Sequence, residues 1–153
     1  MSLIIDKVMV EIVKELESKY RKELDSYFPD LNINYSYYQY LLVIYLNKEI
    51  SQNEVARQMN VLKSSVSKAV KVLSDKKLII VYKDNRDVRS NILKASEKGV
   101  LVSKVYRKLI VKLNKEVFKD FNNDEIKEIK IILKKIYLNL NGFEYQGILK
   151  EII

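Results

Sequence analysis

Between Leu62 and Arg89 a short amphipathic helix runs straight into a basic turn set between two β-branched runs, and this succession constrains the fold most. With Val66 at the top of a helical wheel, Val70 and Leu73 lie within about 40° of it, while Ser64, Lys68, Lys71 and Asp75 lie opposite. A helix with one apolar edge for a core and one Ser/Lys edge for solvent is suited to a DNA major groove.

The flanking pattern says what holds that helix. Ile5, Val8, Ile12, Leu16, Tyr20, Leu24 and Tyr27 recur at steps of three and four, which predicts one long helix from Leu3 to about Phe28, stopped by Pro29-Asp30. A second helix is expected over about 36–47, with Tyr40, Leu41, Ile44 and Tyr45 inward. Ser51-Gln52-Asn53-Glu54 has capping-box spacing and opens a third over about 52–59, with Val55, Ala56 and Met59 inward. After the turn Asn60-Val61 comes the fourth, about 63–76, and the pair has the proportions of a helix-turn-helix. Leu78–Lys83 and Ser90–Lys94 flank a charged tip and read as a β-hairpin. Ser96 is a cap for a fifth helix over about 97–119, with Leu101, Val105, Leu109, Leu113 and Val117 along one side. Asn122 and Glu125 repeat the capping pattern for a sixth over about 123–140, with the stripe Ile126, Ile129, Leu133, Ile136 and Leu140. The apolar tail 141–153 receives no element. The fold class is mainly α with a small β-hairpin wing: a winged helix-turn-helix flanked by long N- and C-terminal helices.

Composition narrows the chemistry. The 153 residues hold no cysteine and no histidine, which excludes disulfides and thiolate metal sites and removes the usual neutral-pH base. With three glycines there is no phosphate-cradling loop. An enzyme would have to work with Asp, Glu, Lys, Tyr and Ser alone, so no enzymatic activity, metal or cofactor is expected. The chain carries a net charge of +8, concentrated between residues 61 and 94. A polyanion, nucleic acid first, is the natural partner of such a patch; a merely lysine-rich surface is the plainer alternative. No apolar run approaches the ~20 residues that span a bilayer, and Met1–Lys7 does not resemble a secretory leader, so a cytoplasmic location without membrane contact is expected.

Three segments then resemble the MarR family of transcriptional regulators over roughly Tyr38 to Leu140. Asp84-x-Arg86-Asp87-x-Arg89 followed by Ser96-x-x-Gly99 looks like that family's wing signature. Ile50–Ala56 is similar to its entry to the third helix, and Lys63–Lys68 to the start of its recognition helix. Two departures stand out. Lys77 occupies the usual glycine position after the recognition helix, so this end either carries a left-handed lysine or closes differently. Lys68 replaces an arginine and lacks its bidentate guanine contact.

The resemblance implies a homodimeric repressor that binds double-stranded DNA at a pseudo-palindromic operator, with residues 1–34 and 96–153 as dimerisation helices and 35–95 as the DNA-binding region. Lys63, Ser64, Ser65, Ser67, Lys68 and Lys71 would reach bases or phosphates, although serines at a helix start also serve as caps. Arg89 would enter the minor groove, and Arg86 would pair with Asp84 or Asp87 to stiffen the wing or join it at the DNA. Members respond to small aromatic or phenolic ligands, and Tyr35, Tyr37, Tyr38, Tyr40 and Tyr45 would line such a pocket, or else pack as core. The missing cysteine and histidine argue against the family's peroxide- and metal-sensing branches. The competing class is a winged-helix protein–protein adaptor whose basic face does not read DNA.

Overall fold

The computed structural model describes residues 2–83 and 91–141. Its elements run α1 (Ser2–Tyr27), α2 (Tyr35–Asn47), β1 (Ile50–Ser51), α3 (Gln52–Met59), α4 (Lys63–Asp75), β2 (Ile79–Lys83), β3 (Asn91–Ala95), α5 (Glu97–Val117) and α6 (Asn123–Asn141). The expected helices and both hairpin strands are present, with ends shifted by a residue or two. One element is additional. The two residues of β1 pair antiparallel with β3, Ile50 opposite Leu93, so the sheet has three strands in the order β1-β3-β2. Two residues carry no readable alternation, and only the partner strand makes them a strand.

The helix α2 lies at the centre of the fold. Tyr38 and every residue from Tyr40 to Ile44 are buried, against α1, α3, α4, α5 and β3. A helix covered on all sides is apolar on all sides, which is why the expected one-sided face understated it; Tyr45, assigned to the core side, is half-buried. Around α2 the core gathers Leu24 from α1, Val55 from α3, Val66, Ala69 and Leu73 from α4, Leu93 from β3 and Val102 from α5.

The inward face of α5 differs from the expected stripe. Gly99, Val102, Ser103, Tyr106, Leu109 and Leu113 are buried, whereas Leu101 is 56% and Val117 43% exposed. The reason is geometric. A run at steps of four drifts about 40° each time, so five such positions spiral across the helix rather than marking a face. The buried Ser103 is satisfied by donating its hydroxyl to the Gly99 carbonyl at 2.8 Å.

The junction between wing and α5 explains the Ser-x-x-Gly spacing. Ser96 Oγ accepts the Gly99 N–H at 3.0 Å and donates to the Lys77 carbonyl at 2.7 Å, while the Ser96 N–H donates to the Leu78 carbonyl. A Cβ on Gly99 would lie 1.9 Å from that Leu78 oxygen, so glycine alone allows the helix to sit this close to the chain.

The terminal helices are a different environment. The lower half of α1 packs through Tyr20 and Leu24, and Glu23 accepts from Lys112 of α5 at 2.6 Å. Toward its start Val8, Ile12 and Val13 are about half exposed. On α6 the expected stripe is only partly covered within one chain: Ile126, Ile129 and Ile136 are half-buried, whereas Leu133 and Leu140 are exposed, as are Ile131 and Ile132 beside them.

Candidate nucleic-acid interface

The helix α4 is held from both ends. Before it, α3 starts at Ser51, whose Oγ accepts the Glu54 N–H at 3.2 Å. The reciprocal half of the expected capping box does not form. Glu54 instead accepts from Arg57 and Gln58, and these bonds, Arg57 first, hold its carboxyl down at about 2. Gln58 also exchanges amide hydrogen bonds with Asn47, tying α3 to the end of α2. The turn rests on Asn60 in the left-handed region, with the Val61 N–H donating to the Ala56 carbonyl. Asparagine tolerates that conformation better than most residues. Asn60 Nδ2 also donates to Tyr137 Oη at 3.2 Å, which joins α6 to this turn.

After it, α4 closes through a Schellman turn. The Leu78 N–H donates to the Leu73 carbonyl and the Lys77 N–H to Ser74, both at 2.8 Å, with Lys77 at φ 58°. Of the two endings the sequence left open, the chain takes the left-handed lysine. The buried Leu73 and Leu78 provide the apolar contact that accompanies this motif.

Between these anchors α4 buries Val66, Ala69, Val70 and Leu73. Lys63, Ser64, Ser67, Lys68 and Lys71 are all exposed, and all but Lys63 fall within about 100° of helix arc. Ser65 lies on the opposite flank and is half-buried. Ser67 Oγ donates back to the Lys63 carbonyl at 3.1 Å and keeps its lone pairs free to accept. Among the described residues none of Lys63, Lys68 and Lys71 forms an ion pair, so their charge faces solvent together. The strands β2 and β3 hold Lys83 opposite Asn91 at the open end of the hairpin. The segment between them carries Asp84, Arg86, Asp87 and Arg89, which lie outside the described residues.

The predicted pocket tyrosines divide. Tyr35 and Tyr38 meet two partners the sequence reading missed, Tyr20 of α1 and Tyr106 of α5. Tyr20 stacks on Tyr35 at 5.2 Å, Tyr106 is edge-on to both, and Tyr106 Oη donates to Tyr35 Oη at 3.1 Å. Burial pushes the Tyr20 and Tyr38 phenols up to about 12, with Tyr35 adding to the first and Asp25 to the second, and raises Tyr106 further. Tyr38 Oη is buried without a hydrogen-bond partner. Tyr37 pairs with Tyr40 instead, and Tyr45 is in neither group. Tyr20 was legible as part of an apolar stripe; nothing in the sequence placed it against Tyr106. No helix among the described residues is long and apolar enough to cross a membrane.

Residues 31–90 match the sequence model of the MarR family. The chain superposes on S. aureus MepR, solved in complex with DNA, at TM-score 0.79 and 19% identity, covering 90% of this chain and 98% of that one. Similar agreement holds for Streptococcus pneumoniae FabT, also in complex with DNA, at TM-score 0.77 and 16% identity over 93% and 99% of the two chains. The organohalide-sensing transcriptional regulator RdhR in its 2,4-dichlorophenol-bound form gives TM-score 0.77 and 21% identity over 92% of this chain and 80% of that one. By sequence, no curated protein matches this chain.

Proposed function

We propose, for a chain whose residues 31–90 match the MarR family model, that it is a homodimeric, sequence-specific regulator of transcription acting as a ligand-responsive repressor in the cytoplasm. The observation that carries this reading is the solvent-facing Ser64, Ser67, Lys68 and Lys71 face of α4, fixed by a capped turn before it and a Schellman turn after it. A rigid helix with hydroxyls and unpaired lysines on one side can position itself on phosphates and offer polar groups to base edges. MepR and FabT, which share the fold, are described in complex with DNA. In the wing, Arg89 takes the minor-groove role, with Arg86 held by Asp84 or Asp87.

Dimerisation through residues 1–34 and 96–153 is supported by the apolar residues that α1 and α6 leave in water. Two-fold pairing would set two heads about one helical turn, ~34 Å, apart on an inverted repeat. The effector site we assign to the tyrosine cluster, where the unpaired Tyr38 hydroxyl offers a bond to a small phenolic or aromatic guest. The 2,4-dichlorophenol complex of RdhR supports that ligand class. Such a ligand acts only by binding one arrangement of the heads better than the other. The Asn60–Tyr137 bond supplies a direct connection between a terminal helix and the reading head.

The test is selection of bound duplexes from a random library at ~150 mM salt, comparing the wild type with Lys68→Ala, Arg89→Ala. An inverted repeat enriched by the wild type and lost by the double variant is the expected result. Equal binding to every duplex would remove the regulator reading and leave the adaptor.

A further inference from the structure

The start of α4 is built unlike the starts of α2, α3, α5 and α6. Asn34 accepts from the Ser36 N–H, Ser51 from Glu54, Ser96 from Gly99, and Asn122 from Asp124 and Glu125. The corresponding position of α4 is Leu62, which makes no capping bond and is 74% exposed. Leucine is among the poorest residues for that place, and an exposed one contributes little to a core. Its neighbour Val61 packs against the core, so the chain turns its apolar contact inward one residue earlier and presents Leu62 to solvent. Local stability therefore does not account for this residue.

Its placement does. Leu62 is exposed and immediately precedes the first turn of α4, whose exposed residues are Lys63, Ser64, Ser67, Lys68 and Lys71. In a major-groove helix the N-terminal residues are those that meet base edges. Among the groups that the four bases show in that groove, one is apolar, the 5-methyl of thymine. Lysines and serines contact oxygens and nitrogens and are indifferent to that methyl. We infer that Leu62 is a specificity-determining residue that packs on a thymine methyl in each half-site, an inference that rests on the DNA-binding reading above. The polar face would then fix register on the duplex, and Leu62 would add a preference for A·T pairs at one position.

The experiment uses the duplex enriched by the full-length wild type, resynthesised with deoxyuridine replacing thymidine at one symmetric pair of positions at a time. Uracil keeps every hydrogen-bonding group and lacks only the methyl. One substitution is expected to weaken wild-type binding about fourfold per half-site, the scale of one buried methyl-sized group. Leu62→Ala should bind the thymidine and deoxyuridine duplexes alike at that position, and Leu62→Met should keep the difference. Leu62→Ser restores a capping hydroxyl, so it should melt no lower than the wild type and still lose the discrimination, which separates readout from folding. A flat deoxyuridine series, or a sensitivity that survives in both Leu62→Ala and Leu62→Ser, overturns the assignment while leaving DNA binding intact. Failure of any duplex to be enriched overturns the DNA reading and this assignment with it, and is recognised before any deoxyuridine duplex is made.

Discussion

The reading head and the terminal arms are made of similarly patterned helices and end in opposite states. In the head, α2 is covered on every side and α3, α4 and β3 bury their apolar residues against it. In the arms, Val8, Ile12 and Val13 of α1 and Ile131, Ile132, Leu133 and Leu140 of α6 remain in water. The core of the head is thus closed within one chain, with only Leu62 and the wing residues Ile80, Val81 and Tyr82 among its described large apolar side chains left exposed, whereas the arms carry helix faces that one chain leaves largely uncovered. Apolar patches of this kind mark places where another surface belongs. Periodicity announces that a helix has a face; it does not say which chain covers it.

The sharpest way to break this contrast is at Gly99, where the head and α5 meet. Gly99→Ala places a methyl against the Leu78 carbonyl and should cost roughly 3 kcal/mol or more, seen as a lower thermal midpoint at every protein concentration. A wild-type midpoint would mean that α5 is not held against the wing as described.

Next in size, Leu133→Glu should act on the arms alone. In the dimer we propose, sedimentation should show association weakened by roughly 2 kcal/mol, and the near-ultraviolet tyrosine signal of the Tyr20–Tyr106 cluster should persist in the monomer. Unchanged association would show that this face of α6 is not the self-contact.

Smaller and opposite in sign, Lys77→Gly relieves a left-handed lysine at the end of α4. It should stabilise the head by about 0.5–1 kcal/mol in a denaturant titration, with no change in association.

The smallest effect concerns Glu54, whose side chain is about a third exposed. Its carboxyl is held at about 2 in the folded chain, below the ordinary 4.5. That stabilisation is complete above 4.5 and disappears as the pH falls through about 2, when the group is protonated in both states. Glu54→Gln should therefore cost no more than about 0.5 kcal/mol at pH 7, after screening by solvent, and nothing near pH 2.

The legibility of the site follows the same division. The exposed Ser/Lys edge of α4 could be read directly, because one face of a short helix is set by its own spacing. The tyrosine group could not: Tyr35 and Tyr38 are close in sequence, but Tyr20 and Tyr106 reach them through the packing of α1 and α5 on α2. Leu62 was hidden for another reason. A leucine beside Val61 reads as one more apolar residue until the turn shows which of the two faces inward.

A few neighbouring residues settle the helices and their caps at Ser51, Ser96 and Asn122, the turn at Asn60, the hairpin strands and the charged edge of α4, and all of these could be read from the chain alone. These rest on local hydrogen bonds and on side-chain periodicity, both complete within a turn or two of chain. The tertiary structure alone decided that Ile50–Ser51 is a strand, that α2 is buried all round, that the inner face of α5 runs through Val102 and Tyr106, and that four tyrosines from three helices meet. Each of those depends on which distant surface arrives to cover a residue, and that is fixed by the packing of whole elements rather than by the residues beside it.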